Sequence, residues 1–341
     1  MPYVVRQLYL NNPEFETPVI RAAMDSFFTS WQAKHALPEK VQLYHYTTLG
    51  GMQGIIKDRT LWCTHTSSFN DRSEIQYGQE IMAGVIQEAM QREDRADLRN
   101  FLKKVLMQVQ GFNKAMFHVF VACFCGSGNI LSQWRAYAGG GGGYCLGFEF
   151  SANTRINSNL AKPDEGWSPN LRKIVYDEAE QRALVDGYLQ SVLQAARVAL
   201  DSSISQQFRA GDLYPSSVMA FQAADTLMDM LLSFKHPAFK SEEEWRMVRV
   251  TRESDDPEGL EFREEAGVLI PYRPTYIYDK EGLDEYVFPL RSVGFGPMLE
   301  HARTRSAIDL LLHHVAADKH PIKLKRHLVQ INGPGYSLRQ D

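Results

Sequence analysis

At 341 residues, with 44% hydrophobic and 23% charged side chains, the chain is long enough for one large or two ordinary domains and can bury a full core without staples. A formal charge of -4 and a pI near 6.2 exclude a broadly basic coat for nucleic acid, leaving Lys323-Leu324-Lys325-Arg326 to read either as a local basic groove or as a solvated strand edge. No apolar run approaches the roughly 20 residues that span a bilayer, and the first six residues lack the regions of a signal peptide, so no membrane partner and a cytoplasmic location are expected.

The elements follow in chain order. Thr17 and Pro18 suit the N-cap and first position of a helix over 14–33, so 1–38 reads as an N-terminal helical extension to a single domain over 39–341. A β-rich run, Leu43-Tyr44-His45-Tyr46-Thr47-Thr48, leads into a helical stretch at 49–56 and a second strand at 61–64. Ser68-Phe69-Asn70-Asp71 is a turn, and two helices follow at 74–91 and 98–114, then a strand at 117–125. A short helix carries Trp134, five glycines at 139–143 break it, and a strand returns at 144–150. Residues 151–170 lack periodicity and read as a loop, 173–176 as a strand, and 179–207 with 218–234 as a helical pair, a helical insertion at about 179–234. Strands are expected at 244–251, 267–271, 286–293 and 322–329, with a helix at 303–316. Strand runs interrupted by helical pairs, without regular βαβ alternation, predict an α+β fold.

Three stretches carry candidate chemistry. His45 is an imidazole on a strand, either satisfied in the core or offering one donor and one acceptor to a ligand; Thr47 returns to its side and Tyr46 points to the other. Trp134 and Tyr137 stand three apart and share a helix face, as a core stripe or as the wall of a flat-ligand pocket that the glycines beside them would leave open. Glu242, Glu243 and Glu244 precede Trp245-Arg246-Met247, where a solvated charge run and an inward carboxylate are the two readings. In a strand Glu242, Glu244 and Arg246 share a face, and Arg246 pairs with either acid. Asn70 either caps the next helix or grips a ligand, and Lys235 faces a phosphate or closes a helix C-terminus. Cys63, Cys123, Cys125 and Cys145 sit in apolar, strand-like contexts and read as free buried thiols, with no metal site.

The order of a His on an early strand, aromatics in the middle and a Glu on a late strand resembles the ADP-ribosyltransferase superfamily. The chain more closely resembles a bacterial family catalogued as domain of unknown function 2971, from Leu43 to Tyr336. The residues that carry it are Tyr44-His45-Tyr46-Thr47, Phe69-Asn70-Asp71 with Glu74, Cys123-Phe124-Cys125, Trp134 with Tyr137-Ala138, Gly147-Phe148-Glu149-Phe150, Lys235 through Glu242, Glu244-Trp245-Arg246, and Gly296-Pro297. The superfamily resemblance implies a split, twisted antiparallel β core with helical insertions and NAD as substrate. It gives His45 the task of orienting NAD, with Thr47, Asn70 and Arg246 as further NAD-binding residues. Trp134 and Tyr137 would wall the nicotinamide pocket, and Glu244 would stabilise the transition state, with Glu242 as the alternative acid. Transfer of ADP-ribose to a protein or nucleic-acid acceptor, or to water, is then expected, as in a bacterial toxin or phage-defence effector with a regulatory or antitoxin partner. The alternative is a non-catalytic module that binds a nucleotide or nucleic acid and regulates a partner.

Overall fold

A computed structural model describes residues 39–68, 73–111, 117–138, 141–160, 166, 168–201, 214–252, 259–265, 267–282 and 285–333, together with Ala22, Asp25 and Ser26. Those last three are helical. The remainder of the expected helix at 14–33 lies outside the described residues, as do the Phe69-Asn70-Asp71 turn and Gly139-Gly140.

The organising feature is a division of the sheet at one strand. β1 (Lys40–Thr47) runs antiparallel to β4 (Tyr144–Ser151) along its whole length. On its other edge it meets β3 (Phe117–Cys125) at Tyr44↔Cys125 alone, because β3 gives Phe120 and Val121 to β2 (Thr60–His65). α1 (Leu49–Asp58) joins the two diverging strands, and Thr48 caps it by accepting from the Gly51 N–H at 3.3 Å. The far edge of β3 pairs along its full length with β7 (Glu244–Arg252).

Beyond β2 the hub is β9 (Val268–Glu281), which also pairs with β5 (Thr154–Asn157), β8 (Glu261–Glu265) and β10 (Glu285–Val287). β6 (Leu171–Lys173) flanks β7, and β11 (Leu290–Phe295) flanks β4. Two pairings are parallel: β12 (Ile322–Lys323) with β10 and β13 (Gln330–Asn332) with β11. The sheet is therefore mixed, where the sequence reading had it antiparallel throughout. α7 (His301–Ala316) is the reason, since a helical crossover returns the chain in its starting direction.

Other expectations are corrected by what the strands pair with. The strand expected at 267–271 runs on through Pro271 and Pro274 as part of β9, although proline ordinarily marks the end of a strand. The run at 286–293 breaks at Phe288-Pro289, and that at 322–329 breaks at a 3-10 turn, Arg326–Leu328. β5 and β8 were not anticipated. Their sequences, Thr-Arg-Ile-Asn and Glu-Phe-Arg-Glu-Glu, are too polar to announce strands, and pairing with β9 supplies the order.

One face of the sheet is covered by a layer of four helices, α2 (Ser73–Arg92), α3 (Ala96–Gln110), α5 (Glu178–Asp201) and α6 (Tyr214–Leu231). Ile86, Phe101, Val105, Tyr188 and Leu227 from these helices bury against Val119, Val121 and Val248. On the other face Leu43, Phe124, Phe148, Phe288 and Phe295 close over Met52 and Ile55 of α1 and Leu312 of α7. A third, small core holds Tyr46, Cys125, Cys145 and Trp134, the last from α4 (Leu131–Tyr137).

The basic run at 323–326 forms no open groove. Lys325 is neutralised by Glu281 at 2.7 Å and Glu285 at 3.0 Å, and Arg326 by Asp309. No helix among the described residues is long and apolar enough to cross a membrane.

Candidate functional site

Strand register decides which candidate residues meet. Tyr44 pairs with Cys125 and Cys125 with Glu244, so all three side chains stand on one face. Successive residues alternate, so His45 falls on the opposite face, where its ring lies 5.7 Å from that of Phe124. Glu244 and Arg246 share their face with Cys123, Tyr44 and Tyr46. The expected convergence of His45 with Glu244 does not occur, because two residues at odd offset across a paired register cannot share a face.

His45 does other work. Its Nδ1–H donates to the Cys123 carbonyl at 2.8 Å, across the gap where β1 and β2 part and the edge of β3 away from β7 is left unpaired. Desolvation lowers its pKa, and the nearby charge of Arg263 acts in the same direction against the carbonyl bond. The ring is therefore neutral at pH 7 and bridges the split. Thr47 is packed against the start of α1, since a Cβ on Gly51 would lie 2.1 Å from its Oγ1.

The carboxylates gather instead around Lys235, which is 3% exposed. Its ammonium contacts Glu74 of α2 at 2.9 Å, Glu242 at 2.6 Å and Glu244 at 2.9 Å. Arg246 donates from Nε to Glu244 at 2.7 Å and from Nη2 to Glu74 at 2.6 Å. The sequence reading gave Lys235 a phosphate or a helix C-terminus and placed Glu242 on the strand. In the structure Lys235 is a buried counterion, and Glu242 ends a 3-10 turn, Pro237–Glu242, with Glu243 in the left-handed region at φ 46° before the strand begins. Lys235 reaches both acids across that break.

The helical layer holds this cluster in place. Gln181 of α5 donates to the carbonyls of Val175 and Lys235 at 2.7 and 3.0 Å, and Arg246 donates to the Leu232 carbonyl at 3.2 Å. The Glu244 N–H donates to the Tyr176 hydroxyl at 2.9 Å. Glu74, Tyr176 and Gln181 were missed as site residues, because nothing local in their sequence points to Lys235.

Electrostatics separates the two acids. Burial would raise the Glu244 carboxyl, but Arg246 and Lys235 outweigh it and hold it down at about 2. Glu244 is 5% exposed and its oxygens are consumed by these cations. Glu242 is pushed up by desolvation more than Lys235 pulls it down, with Glu244 and Glu74 adding repulsion. Three carboxylates against two cations leave one net negative charge, and Glu242 is the member most open to solvent.

The aromatic pair is divided by depth. Tyr137 is 40% exposed, and its hydroxyl is raised by desolvation and then by the Glu242 charge. Trp134 is 2% exposed and packs edge-on against Tyr46 at 4.9 Å. Tyr46 in turn donates to the Ser127 carbonyl at 3.2 Å and accepts from the Ile130 N–H at 2.9 Å, pinning the loop before α4. The indole Nε1–H of Trp134 has no acceptor among the described residues, an omission that costs about 1–3 kcal/mol in a dry interior. Cys125 is buried under α4, whereas Cys123 is exposed, contrary to the expectation of four buried thiols. Desolvation and then the Glu244 charge push the Cys123 thiol up, so it is no thiolate at pH 7.

The glycines pack backbone against backbone. A Cβ on Gly143 would lie 2.6 Å from the Thr47 carbonyl and one on Gly296 2.0 Å from that of Gly141, and the Gly296 N–H donates to Gly143 at 2.9 Å. The described part of the run is thus docked on the segment after β11 and is not free to receive a ligand.

Comparison with known proteins adds one finding. Residues 133–247 match the model of the family described as Protein of unknown function (DUF2971). The DUF2971 match opens in α4 and closes in β7, a narrower span than the resemblance from Leu43 to Tyr336 implied. It contains Trp134, Tyr137, Lys235, Glu242, Glu244 and Arg246, and leaves out His45, Thr47, Asn70 and Glu74. No curated protein and no solved structure matches the chain.

Proposed function

We propose that the protein cleaves the nicotinamide–ribose bond of NAD from the sheet face that carries Tyr137, Glu242 and Glu244. The observation that supports this reading most is a half-exposed tyrosine whose hydroxyl senses the charge of Glu242, the most open member of a largely buried cluster with one net negative charge. Tyr137 offers a ring for the departing nicotinamide, and the negative field stabilises the positive charge that builds on the ribose as the bond lengthens. Nicotinamide leaves with the bonding electron pair, an acceptor hydroxyl or water forms the new bond to the anomeric carbon, and Glu242 takes the acceptor's proton. Glu244 contributes its fixed charge through the ion cluster. His45 supports the split from behind. The acceptor, a protein, a nucleic acid or water, and the role of toxin or defence effector belong to this same proposal.

A second reading, a nucleotide-binding module without catalysis, is favoured by one observation. Every oxygen of Glu244 is occupied by Lys235 and Arg246, as in an ion pair whose task is structural. Incubation of the full chain with NAD, following nicotinamide release by mass, separates them. Release that disappears in Glu242→Gln supports the enzyme. NAD binding without release supports the module.

A further inference from the structure

We infer that a second cavity, distinct from the carboxylate cluster, is a binding site for an uncharged nucleobase or nucleoside. The cavity encloses about 290 Å³ between β1, β4, β11, β13 and the loop before α4, the lower end of the size range of small-molecule sites. Its lining combines an aromatic ring, Tyr44, with polar groups that carry no charge: Ser127, Asn129, Ser292 and Asn332. Trp134 lines it too, and its indole N–H is a buried donor without an acceptor among the described residues.

Each feature narrows the ligand. Without a lysine, arginine or carboxylate in the lining, nothing there compensates a phosphate or an ammonium, so the occupant is neutral. Two carboxamides, each both donor and acceptor, match the paired donor and acceptor edge of a nucleobase, as asparagine does when it reads adenine. The Tyr44 ring supplies a stacking surface, which any base accepts through its π-face. A ring nitrogen or carbonyl of the base would accept the Trp134 N–H, meeting a buried donor that lacks an acceptor among the described residues.

This inference goes beyond the NAD reading and does not rest on it, since none of the cavity's lining residues belongs to the Lys235 cluster. Isothermal titration of the full chain with adenosine, guanosine, cytidine and uridine tests it. Saturable, one-to-one binding of at least one nucleoside is expected. Trp134→Phe, which keeps an aromatic body and deletes the N–H, should weaken that binding by about 10-fold, the effect of one lost hydrogen bond. Asn332→Leu fills the cavity mouth from an exposed position on β13 and should abolish binding while leaving the melting temperature unchanged, which keeps the test valid if the buried Trp134 variant unfolds. Absence of binding by the wild type at millimolar nucleoside, or undiminished binding by Asn332→Leu, overturns the inference. Nicotinamide release from NAD with no nucleoside binding would leave the proposed activity standing and remove this site alone.

Discussion

Lys235 and Glu244 meet at 2.9 Å beneath the helical layer, and the same ammonium also holds Glu74 and Glu242. One buried cation therefore keeps three carboxylates from α2, a 3-10 turn and β7 within a few ångströms of one another. Arg246 is the second cation, and it contacts two of the three.

Removing that ammonium should be costly. Lys235→Met keeps the length of the side chain but leaves buried carboxylates short of a counterion, and is expected to destabilise the fold by about 3–5 kcal/mol. Urea unfolding checks this as a fall in midpoint at unchanged slope. A loss below about 1 kcal/mol would show that the cluster is solvated and the ion network is weak.

Stability should fall in acid through Glu244. Its folded pKa is depressed from 4.5 to about 2, so the unfolded chain binds the proton first, and the contribution is present above pH ~4.5 and lost as pH drops toward 2. The shift corresponds to ~3 kcal/mol. Urea unfolding at pH 7, 4.5 and 3 should show a shallower decline in Glu244→Gln than in the wild type, and equal declines would contradict the assignment.

His45 should act on stability and not on NAD. Its pKa is lowered in the folded state, so stability is full above the ordinary histidine value near 6.5 and declines as pH falls below it, where the unfolded chain takes up the proton. His45→Phe should flatten that decline and cost about 1–3 kcal/mol at pH 7, by leaving the Cys123 carbonyl without its donor. Weakened NAD binding in this variant, measured by calorimetry, would return His45 to the ligand site.

Tyr46→Phe should loosen the loop before α4. The hydroxyl serves the Ser127 carbonyl and the Ile130 N–H at once, and its loss should cost about 1–3 kcal/mol. Faster hydrogen exchange at the Ile130 amide, with the amides of β4 unchanged, is the expected signature.

Glu242→Gln and Glu244→Gln should part company. The first is expected to fold normally and to lower nicotinamide release on the order of 10²-fold, whereas the second should lose stability along with rate. Normal release from Glu242→Gln would move the proton-accepting role to another group.

Local pattern alone located most elements. The strand with His45, the helix after it, the strand at 117–125, the short Trp134 helix and the strand opening at Glu244 all announce themselves by periodicity and composition, and each is found within a few residues of where it was read. The apolar partners of those strands were legible for the same reason. Which face each candidate side chain occupies was not. His45, Thr47 and Glu244 were each placed soundly on their own strand, but the offset between β1, β3 and β7 is set by pairing between residues far apart in the chain, Tyr44 with Cys125, 81 positions on, and Cys125 with Glu244, 119 further, and a change of one residue in that offset exchanges the faces. Lys235 likewise became a counterion only when Glu74, 161 positions earlier, was folded against it. Sequence determined the secondary structure and the supply of ionisable groups, through interactions that extend over a few residues. Tertiary structure decided their meeting, because the free energy of a buried charge depends on which opposite charges share its low-dielectric surroundings.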